Sequence, residues 1–499
     1  MEALEKQGHS VQHYLDETPH WPGHVPAETT MTAMQRTIFT LASAGKLFGG
    51  VIVFMTGMAL PLISDDLSLN STEQGLVSAT ALTGIMFGAV FLGRLSDTLG
   101  RKTMFTAEMV IFTGFLIVMT ISPNLPLLLV SLFGMGLALG CDYPTAHLML
   151  TETMPSSARA KTVLSAFGFQ AAGALLGAVI AVAVLALGPE SVSSWRIMFG
   201  LVIVPALAVT IGRFSVAGSP HWLLARGRTE DAEKALQKVL RRQPNYHADV
   251  KLAAPQEEKR ESGRYVDLFR GQSRRATILA SLPWFLQDLS TYGIGIFTPV
   301  IVATTLGEAA GVEDTADQTV SAVVHSSLLG AEGAVLIDLF LVIGVLAAIR
   351  YTDRFGSIKM QVWGFIGCAV GLAIAAMSQV VPHGGLETAL VFAGFILFQF
   401  MTNAGPNSQT YLISGEVFPT ALRGSGAGFA AACGKFGAVL AAFLFPILLA
   451  SWGQTPIMIV LIGASVLGAF ITRRFRIDTT GKDLDSIYNE EDVNSPESA

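Results

Sequence analysis

Twelve predominantly apolar stretches of about 20 residues or more punctuate the chain, at about 38–63, 75–95, 103–122, 125–150, 162–188, 195–216, 275–305, 328–350, 359–380, 388–414, 424–451 and 455–475. A run of that length crosses a bilayer as a helix, and inside hydrocarbon a helix satisfies its own backbone polar groups. Twelve of them leave a chain of 499 residues few alternatives. The reading is an all-α membrane protein with twelve transmembrane helices. Only 14% of residues are charged, and 50 glycines supply the small surfaces on which helices approach closely in lipid.

The remaining sequence divides around those spans. A tail over 1–37 precedes a first half at 38–216. A loop at 217–274, patterned for amphipathic helices, leads to a second half at 275–475 and a tail at 476–499. The net charge of −6 lies in tails and loops and makes no nucleic-acid footprint, so the partners expected are the bilayer, a small solute and protons. Cys141, Cys368 and Cys433 fall within spans and have neither disulfide nor metal-ligand spacing. No metal or cofactor is expected. The N-terminal tail lacks the basic start and short apolar core of a cleaved signal, so the first span is expected to direct insertion itself.

Lysine and arginine set the orientation. Of 32, 29 fall on one side, 14 of them between Arg213 and Arg275. Lys46 and Lys435 lie inside spans, and Arg196 lies at an opposite helix end. The expectation is a multi-pass protein of the inner (plasma) membrane with both termini and the 217–274 loop in the cytoplasm.

The chain also repeats itself. Arg94, Asp97 and Gly100, within Gly93–Lys102, match Arg350, Asp353 and Gly356, within Arg350–Lys359, at an offset of 256 residues. Glu152-x-x-Pro155-x-x-x-Arg159 matches Glu416-x-x-Pro419-x-x-x-Arg423 at an offset of 264. Two ordered pairs at nearly one offset indicate two homologous six-helix halves. Charges at helix ends that recur in both halves suit a latch that breaks when the halves rock. The gating set is Arg94, Asp97, Gly100, Arg101, Glu152, Arg159, Arg350, Asp353, Arg354, Glu416 and Arg423. The alternative is that these residues only set topology and turns.

Charge at membrane depth is costly and therefore functional by default. Lys46, Asp142, His147, Asp288, Glu332, Asp338 and Lys435 qualify. His147 reads as a hydrogen-bonded structural histidine and Glu332 as a residue reaching water at a helix end. Trp284, Asp288 and Tyr292 are spaced i, i+4, i+8, so one helical face presents an indole donor, a carboxylate and a phenol.

GRLSDTLGRK resembles the signature loop of the major facilitator superfamily, and the resemblance extends over about residues 38–480. Gly218-Ser219-Pro220-His221-Trp222-Leu223-Leu224 resembles the sugar-porter motif that follows span six. Gly140-Cys141-Asp142-Tyr143-Pro144, the Trp284–Tyr292 segment and Asn403-Ala404-Gly405-Pro406-Asn407 with Gly434-Lys435 resemble the central segments of phosphate:proton symporters. That resemblance implies an anion site of Tyr143, Gln170, Trp284, Asp288, Tyr292, Asn407 and Lys435; from the intramembrane carboxylates themselves, proton coupling is expected through Asp288, which shares a helical face with Trp284 and Tyr292, then Asp142 or Asp338. The resemblance departs in span one, where Gly50 and Val53 replace two expected aspartates and Lys46 lies one turn earlier. Losing two negative charges and gaining a positive one points to an anionic ligand, an organic carboxylate rather than phosphate.

The expected function is alternating-access symport of a small anion with protons by a monomer. An organic-acid or sugar-type substrate in the same fold is the alternative, and a transporter-like nutrient sensor is a third reading. No G-x-x-x-x-G-K-[ST] or H-E-x-x-H motif supports an enzyme.

Overall fold

The computed structural model describes residues 9–16, 31–241, 250–253, 265–271, 273–309, 319–418 and 422–477. Twelve helices in it are long and apolar enough to span a membrane. A short helix α1 (Val11–Asp16) precedes the first six spans: α2 (Ala33–Leu67), α3 (Ser71–Phe87) with its continuation α4 (Gly93–Leu99), α5 (Arg101–Thr120), α6 (Leu125–Thr151), α7 (Ser156–Leu187) and α8 (Ser194–Ser215). Two connecting helices follow, α9 (Pro220–Ala225) and α10 (Thr229–Leu240). The second six spans are α11 (Ser273–Ala309), α12 (Val320–Phe355), α13 (Ser357–Met377), α14 (Gly385–Ala404) with α15 (Pro406–Glu416), α16 (Arg423–Trp452) and α17 (Gln454–Arg474).

The two halves meet in a pattern that the repeat dictates. α7 packs on α12, α3 on α16, and α2 on α11. Exchanging the halves maps the first pair onto the second and returns the third to itself, as a pseudo-two-fold axis requires. The matched turns agree in backbone as well. Gly100 has φ 101° and Gly356 φ 84°, both in the region that favours glycine, and each ends one helix and starts the next.

The side of the bundle where α2 begins carries α9, α10 and α1; we term it the loop face. Thr32 caps α2 there, donates its hydroxyl to the carbonyl of Val239, and ties the start of the bundle to α10. Asp16 accepts from the amide and hydroxyl of Ser156 at 2.7 and 2.8 Å, at the start of α7. Burial alone would raise the Asp16 carboxyl, but those bonds, with Gln12 and Arg159 beside it, hold it below the usual carboxylate range.

Helix α2 approaches α7 closely enough to explain one of the two missing span-one carboxylates, that at position 50. A Cβ at Gly50 would stand 2.0 Å from the Gln170 carbonyl oxygen, and one at Gly173 would stand 2.0 Å from that of Leu47. No aspartate fits at position 50 unless the helices part. Gly50→Ala is therefore expected to cost about 1–3 kcal/mol, the usual penalty of overpacking, read as a lower melting temperature of the purified protein. Wild-type melting would show that α2 and α7 separate freely.

Candidate functional site

Buried and half-buried polar side chains from both halves form one continuous chain inside the bundle. In the second half, Lys435 of α16 donates to Asp288 Oδ2 at 2.9 Å and to the Tyr292 hydroxyl at 3.1 Å. Asp288 and Tyr292 are one turn apart on α11, so one ammonium reaches both. Tyr292 then accepts from Gln170 Nε2 at 3.1 Å, and Gln170 Oε1 accepts from the Tyr143 hydroxyl at 3.0 Å. The connection thus crosses from α11 to α7 and α6 of the first half.

There it meets a cluster of charge. The Lys46 ammonium lies 3.9 Å from the Tyr143 ring centroid and 3.0 Å from Asp142 Oδ2. Arg213 donates to Asp142 Oδ1 at 2.8 Å and to Glu108 Oε1. Its remaining bonds go to the carbonyls of Phe105 and Leu41, at 2.6 and 3.1 Å. All four are buried, Arg213 completely. Cations and carboxylates balance within this cluster, which is how charge is tolerated at membrane depth.

A second branch leads from α11 to the broken span α14–α15. The backbone leaves the helical path at Gly405 (φ −113°, ψ −105°), Pro406 has no amide hydrogen to carry the ladder across, and the Ser408 hydroxyl donates to the Asn403 carbonyl at 2.6 Å. The break sets Asn407 to donate to Asn403 Oδ1 at 2.7 Å and to accept from Gln287 at 3.2 Å. Trp284 lies one turn before Asp288, with its indole against Gly434 of α16.

The structure therefore brings together Lys46, Asp142, Tyr143, Gln170, Trp284, Asp288, Tyr292, Asn407 and Lys435. It does not bring in Asp338. That carboxylate is buried between α12 and α14, where the Gln399 amide at 3.4 Å is its hydrogen-bond donor. Three participants escaped the sequence reading. Gln287 lies on the expected face of α11. Glu108 is a charge mid-span, a signal that was present. Arg213 reads as a loop cation at the end of a span, but it is interior, turned inward by two carboxylates.

Contacts between the halves lie on both sides of the polar chain. Toward the loop face, His147 bonds the Tyr411 hydroxyl at 2.8 Å, and Tyr411 stacks on Phe167 with centroids 4.7 Å apart. His147 is the hydrogen-bonded histidine expected, with a partner in the other half. Toward the far face, Cβ atoms built at Gly57 and Gly75 would strike the carbonyl oxygens of Ile296 and Phe443. Beyond them a cavity of about 560 Å³ opens between the halves, lined in part by Leu60, Ser64, Asp65, Gln74, Phe297 and Ser326.

Among the described residues, one ion pair of the charged motif set at the loop face lies within the first half. Arg101 meets Glu152 at 3.4 Å, and Glu152 also accepts from Ser219 of the loop that opens α9. Gly100 lies under the Trp222 ring. Arg159 donates to Gln12 of α1 at 2.6 Å. Arg350, Asp353 and Arg354 are exposed and Glu416 is half-buried. The side chains of Arg94, Asp97 and Arg423 lie outside the described residues.

Comparison with known proteins places these features. The family model for sugar (and other) transporters matches residues 20–490. The major myo-inositol transporter IolT of Bacillus subtilis (strain 168) is 28% identical over 460 residues, 91% of this chain and 93% of its own length. The galactose-proton symporter of Escherichia coli (strain K12) is 28% identical over 386 residues, 76% of this chain and 78% of its own. Among solved structures, the xylose transporter XylE from E. coli in a partially occluded inward-open conformation matches with a TM-score of 0.70 at 19% identity, over 91% of this chain and 100% of that one. The family model and these relatives back the sugar-type alternative better than the resemblance to phosphate:proton symporters. The chain belongs to the sugar (and other) transporter family: it is a twelve-span transporter of the major facilitator fold, not an enzyme.

Proposed function

We propose that this protein carries a small neutral polyhydroxylated solute, a sugar or polyol, across the membrane by alternating access in symport with protons. One observation carries the reading. Every cation in the central chain is already matched, Lys435 by Asp288, Lys46 by Asp142, and Arg213 by Asp142 and Glu108. No unmatched positive charge is left among them to neutralise an anion. What remains are Gln170, Gln287, Asn403, Asn407, Tyr143 and Tyr292, neutral groups that both donate and accept, as hydroxyls require. An organic acid would have to displace Asp288 or Asp142 from its cation first.

In this reading Tyr143, Gln170, Trp284, Asp288, Tyr292, Asn407, Lys435 and Lys46 face the solute, and coupling runs through the carboxylates of the chain. Asp288 and Asp142 belong to it; Asp338 lies apart. Rocking of the halves breaks His147–Tyr411 on one side or the close helix approaches on the other. The relatives named for myo-inositol and galactose-proton transport support the solute class, and the lysine and arginine distribution supports cytoplasmic termini. Each chain holds both halves, so a monomer suffices.

Counterflow into proteoliposomes tests the solute. Labelled myo-inositol or galactose should enter and be displaced by unlabelled hexoses and polyols, while phosphate displaces neither. Competition by phosphate and none by polyols would refute the reading.

A further inference from the structure

The charge cluster of the first half contains one acid that the reading above does not use. Glu108, on α5, is 2% exposed. It faces Arg213 of α8 and both Asp142 and Cys141 of α6, with Lys46 of α2 beyond Asp142. Its Oε1 accepts from Arg213, whereas its Oε2 is buried without a hydrogen-bond partner. Asp142 is held differently: Oδ1 accepts from Arg213, and Oδ2, though it makes no hydrogen bond, lies 3.0 Å from the Lys46 ammonium. Gly45 makes room for this arrangement, since a Cβ there would strike Asp142 Oδ1 and Arg213 Nη2 at 2.4 and 2.6 Å.

A proton entering the cluster meets unequal costs. On Asp142 it weakens two cation contacts. On Glu108 Oε2 it displaces no donor and leaves the Arg213 bond to Oε1 in place. We infer that Glu108 is the seat of the coupled proton, and that the Arg213–Asp142–Lys46 chain reports its occupancy to the solute. This rests on the proton-coupled reading above and names the acid that serves it.

The relay follows from shared partners. A proton taken from water on one side bonds to Glu108 Oε2 and cancels that carboxylate's charge. Arg213 then leans on Asp142, which holds Lys46 less tightly. The Lys46–Asp142 contact is already close but misaligned for a hydrogen bond, so Lys46 is the partner to leave. Resting on the Tyr143 ring, it turns to a solute oxygen. By linkage the reverse holds equally: a solute that draws Lys46 away leaves Asp142 to Arg213 and makes protonation of Glu108 easier. After reorientation the solute leaves, Lys46 returns, and Oε2 releases its proton to water on the other side.

Infrared difference spectra of the full-length protein in lipid nanodiscs, between mildly acidic and mildly alkaline pH, read this without any solute. The wild type should show a protonated-carboxyl C=O band that is lost in Glu108→Gln and returns, displaced, in Glu108→Asp. A band that persists in Glu108→Gln, or no band in the wild type, overturns the assignment. Should Glu108→Gln fail to fold, Glu108→Asp, Asp288→Asn and Asp338→Asn decide it. Each should retain a band, and loss of the band in any one of them overturns the proposal. Adding myo-inositol should move the wild-type midpoint to higher pH but leave that of Lys46→Met in place; an equal shift in both removes the relay. Failure of myo-inositol and galactose to bind counts against the solute reading alone, because the Glu108 band is read without them.

Discussion

Replacing Arg213 with methionine is expected to destabilise the protein by about 3–5 kcal/mol, the cost of removing one partner from a buried ion pair. Arg213 is the only group that binds both Glu108 and Asp142 directly among the described contacts, and none of the three reaches water. Without it, two carboxylates face each other with Lys46 alone to compensate. The loss should appear as a lower melting temperature in detergent. Neutralising the acids as well, in Arg213→Met/Glu108→Gln/Asp142→Asn, should recover much of it, because the penalty comes from stranded charge. Wild-type melting of the single variant would mean that the acids are neutral or hydrated in place.

The second large effect is at Lys435. Lys435→Met strands Asp288, removes a donor from Tyr292, and should again cost about 3–5 kcal/mol. Here fold and function are expected to separate. Lys435→Met/Asp288→Asn removes the stranded charge and should restore melting towards the wild-type value. Counterflow of labelled myo-inositol should stay lost, because the bond from Lys435 through Tyr292 to Gln170 joins the two halves at the proposed solute site. A double variant that transports at the wild-type rate would remove this pair from the site.

Hydropathy alone made the twelve spans legible, since a bilayer leaves a long apolar run no other structure. The repeat made the symmetry legible: Gly100 and Gly356 were matched by sequence offset and proved matched in φ. The face of α11 was legible because helical spacing is local, and Asp288 and Tyr292 do share Lys435. What depends on contacts between distant helices was not. Arg213 bonds residues 71 and 105 positions away, and at the end of an apolar run it looked like any loop cation. Gly50 looked like a lost carboxylate until the Gln170 carbonyl was seen against it. The solute class is the least legible feature, for a related reason. Two absent span-one carboxylates and one added lysine suggest an anion, and only the geometry shows Lys46 and Lys435 each facing an aspartate.

Accumulation under an imposed proton gradient tests the central claim most directly. Proteoliposomes holding the wild-type protein, acidic outside, are offered labelled myo-inositol, labelled galactose and labelled phosphate in parallel, with and without a protonophore. The account predicts that at least one of the two polyhydroxylated solutes rises above its outside concentration and falls back when the gradient is collapsed, while phosphate does not accumulate. Accumulation of phosphate with neither of the others, or uptake of all three indifferent to the gradient, would contradict it.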